Sequence, residues 1–196
     1  MNRATFLKLL EKKLFPVLKA EGFVARGQTL RRIEGPVIHV FNVQGASGGK
    51  ACYLNLGAHL DFLPTEGGGQ VAPWDIEESH CVFRDRMHPP PGEAFGWAYG
   101  ASTEEAEESV EFIVGEWAGP GRAFFARHGS YPQSFETMLR DTDPNSIHAR
   151  TALHLGRIAV QLGDRVRAEA LVNAGLARAP ERATALKAEL ARLLQG

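Results

Sequence analysis

The sequence predicts an α+β protein with an N-terminal helix, an antiparallel sheet of about four to five strands flanked by helices, and a C-terminal helical hairpin extension. Three observations support this class. Apolar residues recur every three or four positions from Phe6 to Leu18, which is typical of an amphipathic helix. Between about Gln28 and Leu60 the apolar period changes to two, as in strands. After Asn145 the chain is rich in Ala, Leu and Arg, lacks aromatic residues and has a helical pattern.

The overall composition excludes several classes of protein. A formal net charge of −1, from 22 basic and 23 acidic residues, lacks the basic excess of a nucleic-acid binder. A hydrophobic content of 44% is too high for a disordered chain. No apolar run approaches the roughly 20 residues that cross a bilayer, so we expect neither a nucleic-acid partner nor a membrane.

The N-terminal segment also bears on the compartment. Lys8, Glu11 and Lys12 interrupt its first apolar stretch, which argues against a secretory signal and favours the cytoplasm. The two cysteines, Cys52 and Cys81, are therefore expected to be free thiols in a reducing compartment.

Cap and breaker residues set the limits of the first helix. Asn2 is expected to cap its N-terminus and Gly22 to follow its end. Pro16 lies inside the pattern and should kink or divide the helix, because proline lacks a backbone donor.

The middle of the chain predicts a meander of strands. Gly35 and Pro36 form one turn of it, and a glycine-rich segment from Gly45 to Gly49 forms the next. Residues 61–80 are predicted to be a loop. The predicted strands cover residues 29–33, 37–43, 51–60, 81–86 and 95–99.

Helices are expected again beyond this sheet. Ser102 and Glu105 have the spacing of a capping box, and the segment Gly119–Gly121 is expected to end the helix that follows. Further short helical pieces contain Phe124, Phe125, Phe135, Met138 and Leu139. Residues 141–145 form the predicted boundary between an α+β domain, residues 1–140, and a helical extension, residues 146–196.

The extension resembles a single tetratricopeptide repeat between Ala149 and Arg182. The pairs Leu155-Gly156 and Gly163-Asp164, together with Ala168 and Pro180, have the spacing of that family. Ala152 replaces the large aromatic residue usual before the Leu-Gly pair. Because at least three such units usually stack together, a lone hairpin should pack on its own domain, on a protein partner or on a second copy.

The N-terminal part, about residues 1–140, resembles a bacterial family of uncharacterised proteins, domain-of-unknown-function family DUF4304. The resemblance rests on the order of short motifs. It implies a helix-plus-sheet fold, no known activity and no catalytic residue. The motifs are Lys19-Ala20-Glu21-Gly22-Phe23, Gln28-Thr29-Leu30-Arg31-Arg32, Phe41-Asn42-Val43-Gln44, Tyr53-Leu54-Asn55-Leu56-Gly57 and Cys81-Val82-Phe83-Arg84-Asp85-Arg86.

One face of the sheet is a candidate ligand-binding site. By alternation, Tyr53, Asn55 and His59 share one side of their strand. Arg84 and Arg86 share one side of theirs, and paired guanidinium donors suit a phosphate or carboxylate if the two sides coincide. The alternative is the solvated side of an ordinary antiparallel sheet.

Other candidate chemistry is weaker. His80 and Cys81 are adjacent on an extended segment and face opposite sides, so His80 is poorly placed to activate the thiol. The cysteines and histidines lack zinc-ligand spacing, and Gly67–Gly69 does not open a helix that could hold phosphate. The acidic run Glu104–Glu111 is explained by a helix start. We therefore predict no catalytic residue, no metal and no cofactor.

These observations favour a non-enzymatic, cytoplasmic protein-interaction or ligand-binding protein. Its partner would be another protein, or a second copy, bound through the C-terminal helices. The alternative is a small enzyme or anion-binding protein that uses the sheet face with Arg84 and Arg86. A protective partner for a toxin is not distinguished from the first interpretation by the sequence.

Overall fold

The computed structural model describes residues 2–90 and 96–195. Its contacts divide the chain into two compact units, residues 1–129 and residues 130–196. The predicted α+β class is confirmed. Phe95, where the last predicted strand begins, lies outside the described residues.

The first unit combines four helices with a six-stranded sheet in its described residues. The helices are α1 (Arg3–Lys13), α2 (Phe15–Ala20), α3 (Thr103–Glu116) and α4 (Arg122–Arg127). The strands are β1 (Val24–Arg26), β2 (Thr29–Glu34), β3 (Val37–Gly45), β4 (Ala51–Leu60), β5 (Phe83–Met87) and β6 (Trp97–Ala98). Two 3₁₀ turns, Pro73–Asp75 and Glu78–His80, lie within the segment predicted as a loop.

The sheet is an antiparallel meander in the order β1-β2-β3-β4-β5. The three predicted strands β2, β3 and β4 are confirmed, and β6 pairs with the first two residues of β4. Strand β1 was not predicted. It pairs with β2 through a tight turn in which Gly27 has φ +60°, a conformation that glycine adopts without strain.

The first helix is divided as Pro16 predicts. Helix α1 ends at Lys13, and α2 begins at Phe15 with Pro16 in its first turn, where a missing donor costs nothing. Asn2 caps α1 by accepting a hydrogen bond from the Thr5 backbone N–H at 3.0 Å.

The expectation that Gly119–Gly121 ends a helix is wrong. Helix α3 continues through a π-helical turn, Trp117–Gly121, directly into α4. A π turn moves each hydrogen bond one residue further back, which leaves room for Pro120 inside a continuing helix. Gly121 is required there, because a Cβ at this position would lie 2.6 Å from Cε3 of the Trp117 ring.

The two faces of the sheet differ. One face packs on the helices and forms the main core, in which Phe41 and Leu56 are cross-strand neighbours. Helical residues that pack on it include Phe6, Leu10, Leu14, Leu18, Val110, Ile113 and Trp117. On the other face Ile38 and Val40 are covered by Ile76 and Cys81, from the segment between β4 and β5. Ile33 also belongs to this apolar cluster, whereas the part of the second face that contains Thr29, Asn42 and Asn55 is polar.

The second unit is helical, with α5 (Gln133–Asp141), α6 (Ala149–Gln161), α7 (Arg165–Arg178) and α8 (Thr184–Leu193). Leu153, Val172 and Leu190 form its small apolar core. Helices α6 and α7 form a close hairpin, since a Cβ on Gly175 would lie 3.0 Å from the Ala152 Cβ. None of the helices in the described ranges is both long and apolar enough to cross a bilayer.

Candidate functional site on the polar face of the sheet

A single row of polar residues crosses four strands on the second face. Thr29 of β2 is the cross-strand partner of Asn42 on β3. Asn42 is in turn opposite Asn55 on β4, and Asn55 is opposite Arg86 on β5. We call these four residues the polar row. The register therefore places the candidate side chains of β4 and β5 on the same face of the sheet.

Hydrogen bonds join the polar row from end to end. The Arg86 Nε–H donates to Asn55 Oδ1 at 2.9 Å. The Asn55 amide donates to Gln44 Oε1 at 3.0 Å and lies 3.5 Å from Asn42 Oδ1. Asn42 Nδ2 then donates to Thr29 Oγ1 at 2.9 Å. Every hydrogen bond in the row is donated in the same direction, from Arg86 to Asn55, from Asn55 to Asn42 and from Asn42 to Thr29. The chain of bonds is therefore polarised.

Arg86 is held from two sides at the end of the row. Its guanidinium carbon lies 4.5 Å from the centre of the Tyr53 ring, which is a cation–π distance. Asn55, only 1% exposed, fixes Nε. In the described part of the chain, no carboxylate pairs with Arg86, which leaves its terminal nitrogens as oriented donors.

Arg84 lies on the same face but, unlike Arg86, it forms an ion pair with a carboxylate. It is opposite Gly57, and its Nε lies 2.5 Å from Glu78 Oε1. That hydrogen bond raises the pKa of the Arg84 guanidinium, against a smaller opposing effect of burial. Glu78 is 11% exposed in its side chain, so this is a partly shielded ion pair.

The turn that carries Glu78 is held by its own capping box. The Glu77 side chain accepts from the His80 backbone N–H, and His80 Nδ1 accepts from the Glu77 backbone N–H at 3.1 Å. His80 therefore has a structural role in this turn. Together with the strands, the turn borders a recess of about 240 Å³ lined by Asn42, Gln44, Glu77, Glu78 and Ser79.

His59 lies apart from the other candidate residues. It is four positions beyond Asn55 on β4 and 2% exposed, and its Nε2 lies 3.2 Å from the Leu63 carbonyl oxygen. The segment after β4 covers this end of the face, and Arg31 helps to hold it by donating to the Ile76 carbonyl at 2.5 Å. Tyr53, Asn55 and Arg86 are thus brought together, Arg84 is adjacent, and His59 is separate.

Both cysteines are free and buried, on opposite faces of the sheet. Burial raises the pKa of the Cys52 thiol to about 12 and raises that of Cys81 as well. A nucleophilic cysteine needs thiolate character, which neither environment supports. In the described ranges, His, Cys, Asp and Glu side chains form no group of three that could hold a metal ion.

A second buried polar cluster lies on the helix side of the sheet. His39 Nδ1 accepts from the Arg32 guanidinium, with Nη2 at 2.9 Å, so its Nε2 carries the proton that is donated to the His128 carbonyl at 2.9 Å. His128 Nδ1 lies 2.8 Å from the Phe124 carbonyl. Burial lowers the pKa of both imidazoles to about 4, and Arg32 adds to this effect at His39.

Sequence reasoning missed Thr29, Gln44 and Glu78 as parts of the polar face. A signal for Asn42 and Gln44 exists in the sequence, because both follow the alternation of Ile38 and Val40 along β3. Glu78 had no periodic pattern to reveal it, because it belongs to a 3₁₀ turn within a loop.

Comparison with curated proteins and with solved structures found no significant match. One protein family matches residues 14–126, which extend from the residue before α2 into the last turn of α4 and include the whole polar row. That match covers more than half of the chain, and so the protein belongs to the family described as Domain of unknown function (DUF4304).

Proposed function

We propose that the first unit is a binding module for a ligand that carries an acidic oxygen group, a carboxylate or a phosphate, with Arg86 as the principal contact. The observation that carries this proposal is the state of Arg86. Its guanidinium is fixed by Asn55 and Tyr53, yet it faces no carboxylate in the described residues. An arginine that is oriented and unpaired is suited to bind a planar or tetrahedral anion through two parallel hydrogen bonds.

The rest of the polar row supports an acceptor as the ligand. Asn55 Oδ1 is occupied by Arg86, and Gln44 Oε1 is occupied by Asn55. The Arg86 terminal nitrogens and the Gln44 amide nitrogen therefore remain as donors on this side. A ligand with oxygen acceptors complements them.

Binding fits this face better than catalysis, so the proposed protein is non-enzymatic. Cys81 is buried with a raised pKa, and His80 is occupied in its capping box. His59 is covered and four positions away from Asn55. We also propose a cytoplasmic location, because both cysteines are buried free thiols, as is usual in a reducing compartment.

Calorimetric titration with sodium benzoate tests the proposal. The expected affinity is in the millimolar range, and Arg86→Gln should weaken it by about tenfold, since one charge-assisted pair is lost. Arg192→Gln is the matched control, because it removes the same charge from an exposed position in the second unit. Equal binding by wild type and Arg86→Gln would overturn the proposal.

A second candidate function concerns residues 146–196, which we propose as a tetratricopeptide-like extension that binds protein, beside an α+β domain of residues 1–140. A groove of about 180 Å³ in this unit is lined by Val160, Arg165, Ala168, Glu169, Leu193 and Leu194. Val160 is 41% exposed and Leu194 44% exposed, so an apolar surface remains open.

Binding of a second copy of the chain in this groove can be measured directly. Sedimentation equilibrium of the wild type should show a concentration-dependent dimer, and Leu194→Glu should abolish it. The exposed Val166→Glu is the matched control, since Val166 does not line the groove. A strictly monomeric wild type would exclude a second copy and leave only a different protein as the partner.

A further inference from the structure

We propose that Glu78 sets the charge selectivity of the anion site, so that the site prefers a singly charged carboxylate to a doubly charged phosphate. This inference rests on the proposed function of Arg86. Strand β5 carries two arginines on this face, and the ion pair with Glu78 neutralises one of them.

Arg84 and Arg86 would otherwise form a clamp for a dianion. They are two residues apart on β5 and on the same face, which separates their Cα atoms by roughly 6.5–7 Å. Two guanidinium groups at that spacing can reach one tetrahedral phosphate together. Glu78 opposes this because its carboxylate, 2.5 Å from Arg84 Nε, neutralises the charge of that guanidinium.

Burial and the geometry of the turn stabilise the ion pair between Arg84 and Glu78. The Glu78 side chain is 11% exposed, and a shielded carboxylate that loses its partner is costly. Gly57 lets the turn lie close to the strand, because a Cβ there would be 3.4 Å from the Glu78 Cα. The capping box between Glu77 and His80 holds the backbone of the same turn. A ligand must therefore compete with a fixed carboxylate to recruit Arg84.

The surrounding charges also disfavour a dianion. Glu77 is exposed at the edge of the recess. The pKa of Arg84 is raised mainly by its hydrogen bond with Glu78, and the negative charge of Glu66 adds a smaller effect in the same direction. With Arg84 neutralised by Glu78, the second negative charge of a phosphate gains no full positive charge from Arg84. The first charge is satisfied by Arg86, which suits the planar fork of a carboxylate.

Two probes with the same ring and different acid groups test this inference: benzoate and phenyl phosphate, at pH 8 and constant ionic strength. Phenyl phosphate carries close to two charges there. The measured quantity is the ratio of the two dissociation constants in four proteins: wild type, Glu78→Gln, Arg84→Gln, and the double variant. Wild type should bind benzoate more tightly.

Glu78→Gln should shift the ratio toward phenyl phosphate by about threefold to tenfold, because it frees one cation near the site. Arg84→Gln should shift it the other way, because Glu78 then keeps its charge without a partner. The double variant should return close to the wild-type ratio. Glu66→Gln in the Glu78→Gln background should increase the shift further.

These measurements distinguish an error about the role of Glu78 from an error about the anion site at Arg86. If both probes bind in an Arg86-dependent way but Glu78→Gln leaves the ratio unchanged, the selectivity role of Glu78 is wrong and the anion site stands. Tighter binding of phenyl phosphate to wild type also overturns the selectivity role. If neither probe binds wild type, the anion site itself is wrong. Should Glu78→Gln fail to fold, the opposite shift in Arg84→Gln remains decisive.

Discussion

Arg86 and Asn55 face each other across β4 and β5, and the Arg86 Nε–H donates to Asn55 Oδ1 at 2.9 Å. One partner is exposed and the other is 1% exposed. A buried amide thus orients a surface charge, and it does so as one member of a row that reaches Thr29 on β2. This arrangement distinguishes the polar face from a sheet surface whose long side chains move freely in water.

Asn55→Leu should separate binding from stability. The leucine keeps most of the volume, and the hydrogen-bond partners Arg86 and Gln44 are exposed and can turn to water, so the free energy of unfolding should change by no more than about 1 kcal/mol. Benzoate affinity should nevertheless fall several-fold, because Arg86 is no longer oriented. Urea denaturation and calorimetric titration measure the two effects. Asn173→Leu is the control, because Asn173 is exposed on α7 in the second unit, and it should leave the benzoate affinity unchanged.

Acid should destabilise the protein through His39 and His128. Both have folded-state pKa values of about 4, mainly because they are buried, against about 6.5 in the unfolded chain. As pH falls from about 6.5 to about 4, the unfolded state binds more protons, so the free energy of unfolding decreases. By pH 5 the loss should be about 2 kcal/mol for each histidine, and this contribution is fully present only above pH 6.5.

Urea denaturation at pH 7.5, 6.5, 5.5 and 5.0 measures this dependence. His39→Gln removes one of the two buried imidazoles, so its stability should fall less steeply over the same range, whatever its stability at pH 7.5. A wild-type stability that stays constant from pH 7.5 to pH 5.0 would show that the two imidazoles are not held neutral.

Gly57→Ala should destabilise the first unit by about 1–3 kcal/mol through overpacking. The added Cβ would lie 2.7 Å from Cys81 Sγ and 3.4 Å from the Glu78 Cα, so the turn over β4 must move. Cys81→Ala in the same protein should recover part of the loss. Gly48→Ala is the matched control, since no atom lies within 4 Å of its Cβ position. Equal effects of the two alanines would contradict the predicted close contact.

Both thiols should be unreactive in the native state. Cys52 and Cys81 are buried, and their pKa values are raised by burial, so little thiolate is present at pH 8. A disulfide-exchange reagent should react with two thiols per chain in urea without reductant, and with neither at a comparable rate in the native protein. Recovery of no thiol from the unfolded, unreduced chain would show that the cysteines are bonded.

Local patterns predicted most of the fold. Periodicity identified α1, the meander and the helices after residue 145, and Pro16 divides the first helix as its chemistry requires. Strand β1 was missed because three residues are too short for a pattern of period two. Gly119–Gly121 has the composition of a helix end, and only the packing of Trp117 against Gly121 shows that the segment is a π-helical turn inside a continuing helix.

The candidate site depends on the register between β4 and β5, which cannot be predicted from the sequence pattern of either strand. Alternation placed Tyr53 with Asn55, and Arg84 with Arg86, but the register between β4 and β5 follows a connection of more than 20 residues. The same connection covers His59 and carries Glu78 to Arg84. Side-chain periodicity describes one strand at a time, so it left the pairing between strands and the folding of the loop open.

The most direct test of the account is a titration of the ¹⁵N-labelled protein with benzoate, observed at the Arg86 Nε–H and the Asn55 side-chain amide. Ligand contact at the guanidinium should shift the Arg86 signal most and the Asn55 signal next, with one shared dissociation constant. The side-chain signals of Arg192 should not move. If the Arg86 and Asn55 signals remain unchanged at saturating benzoate, the polar row is a structural feature of the sheet and does not bind anions.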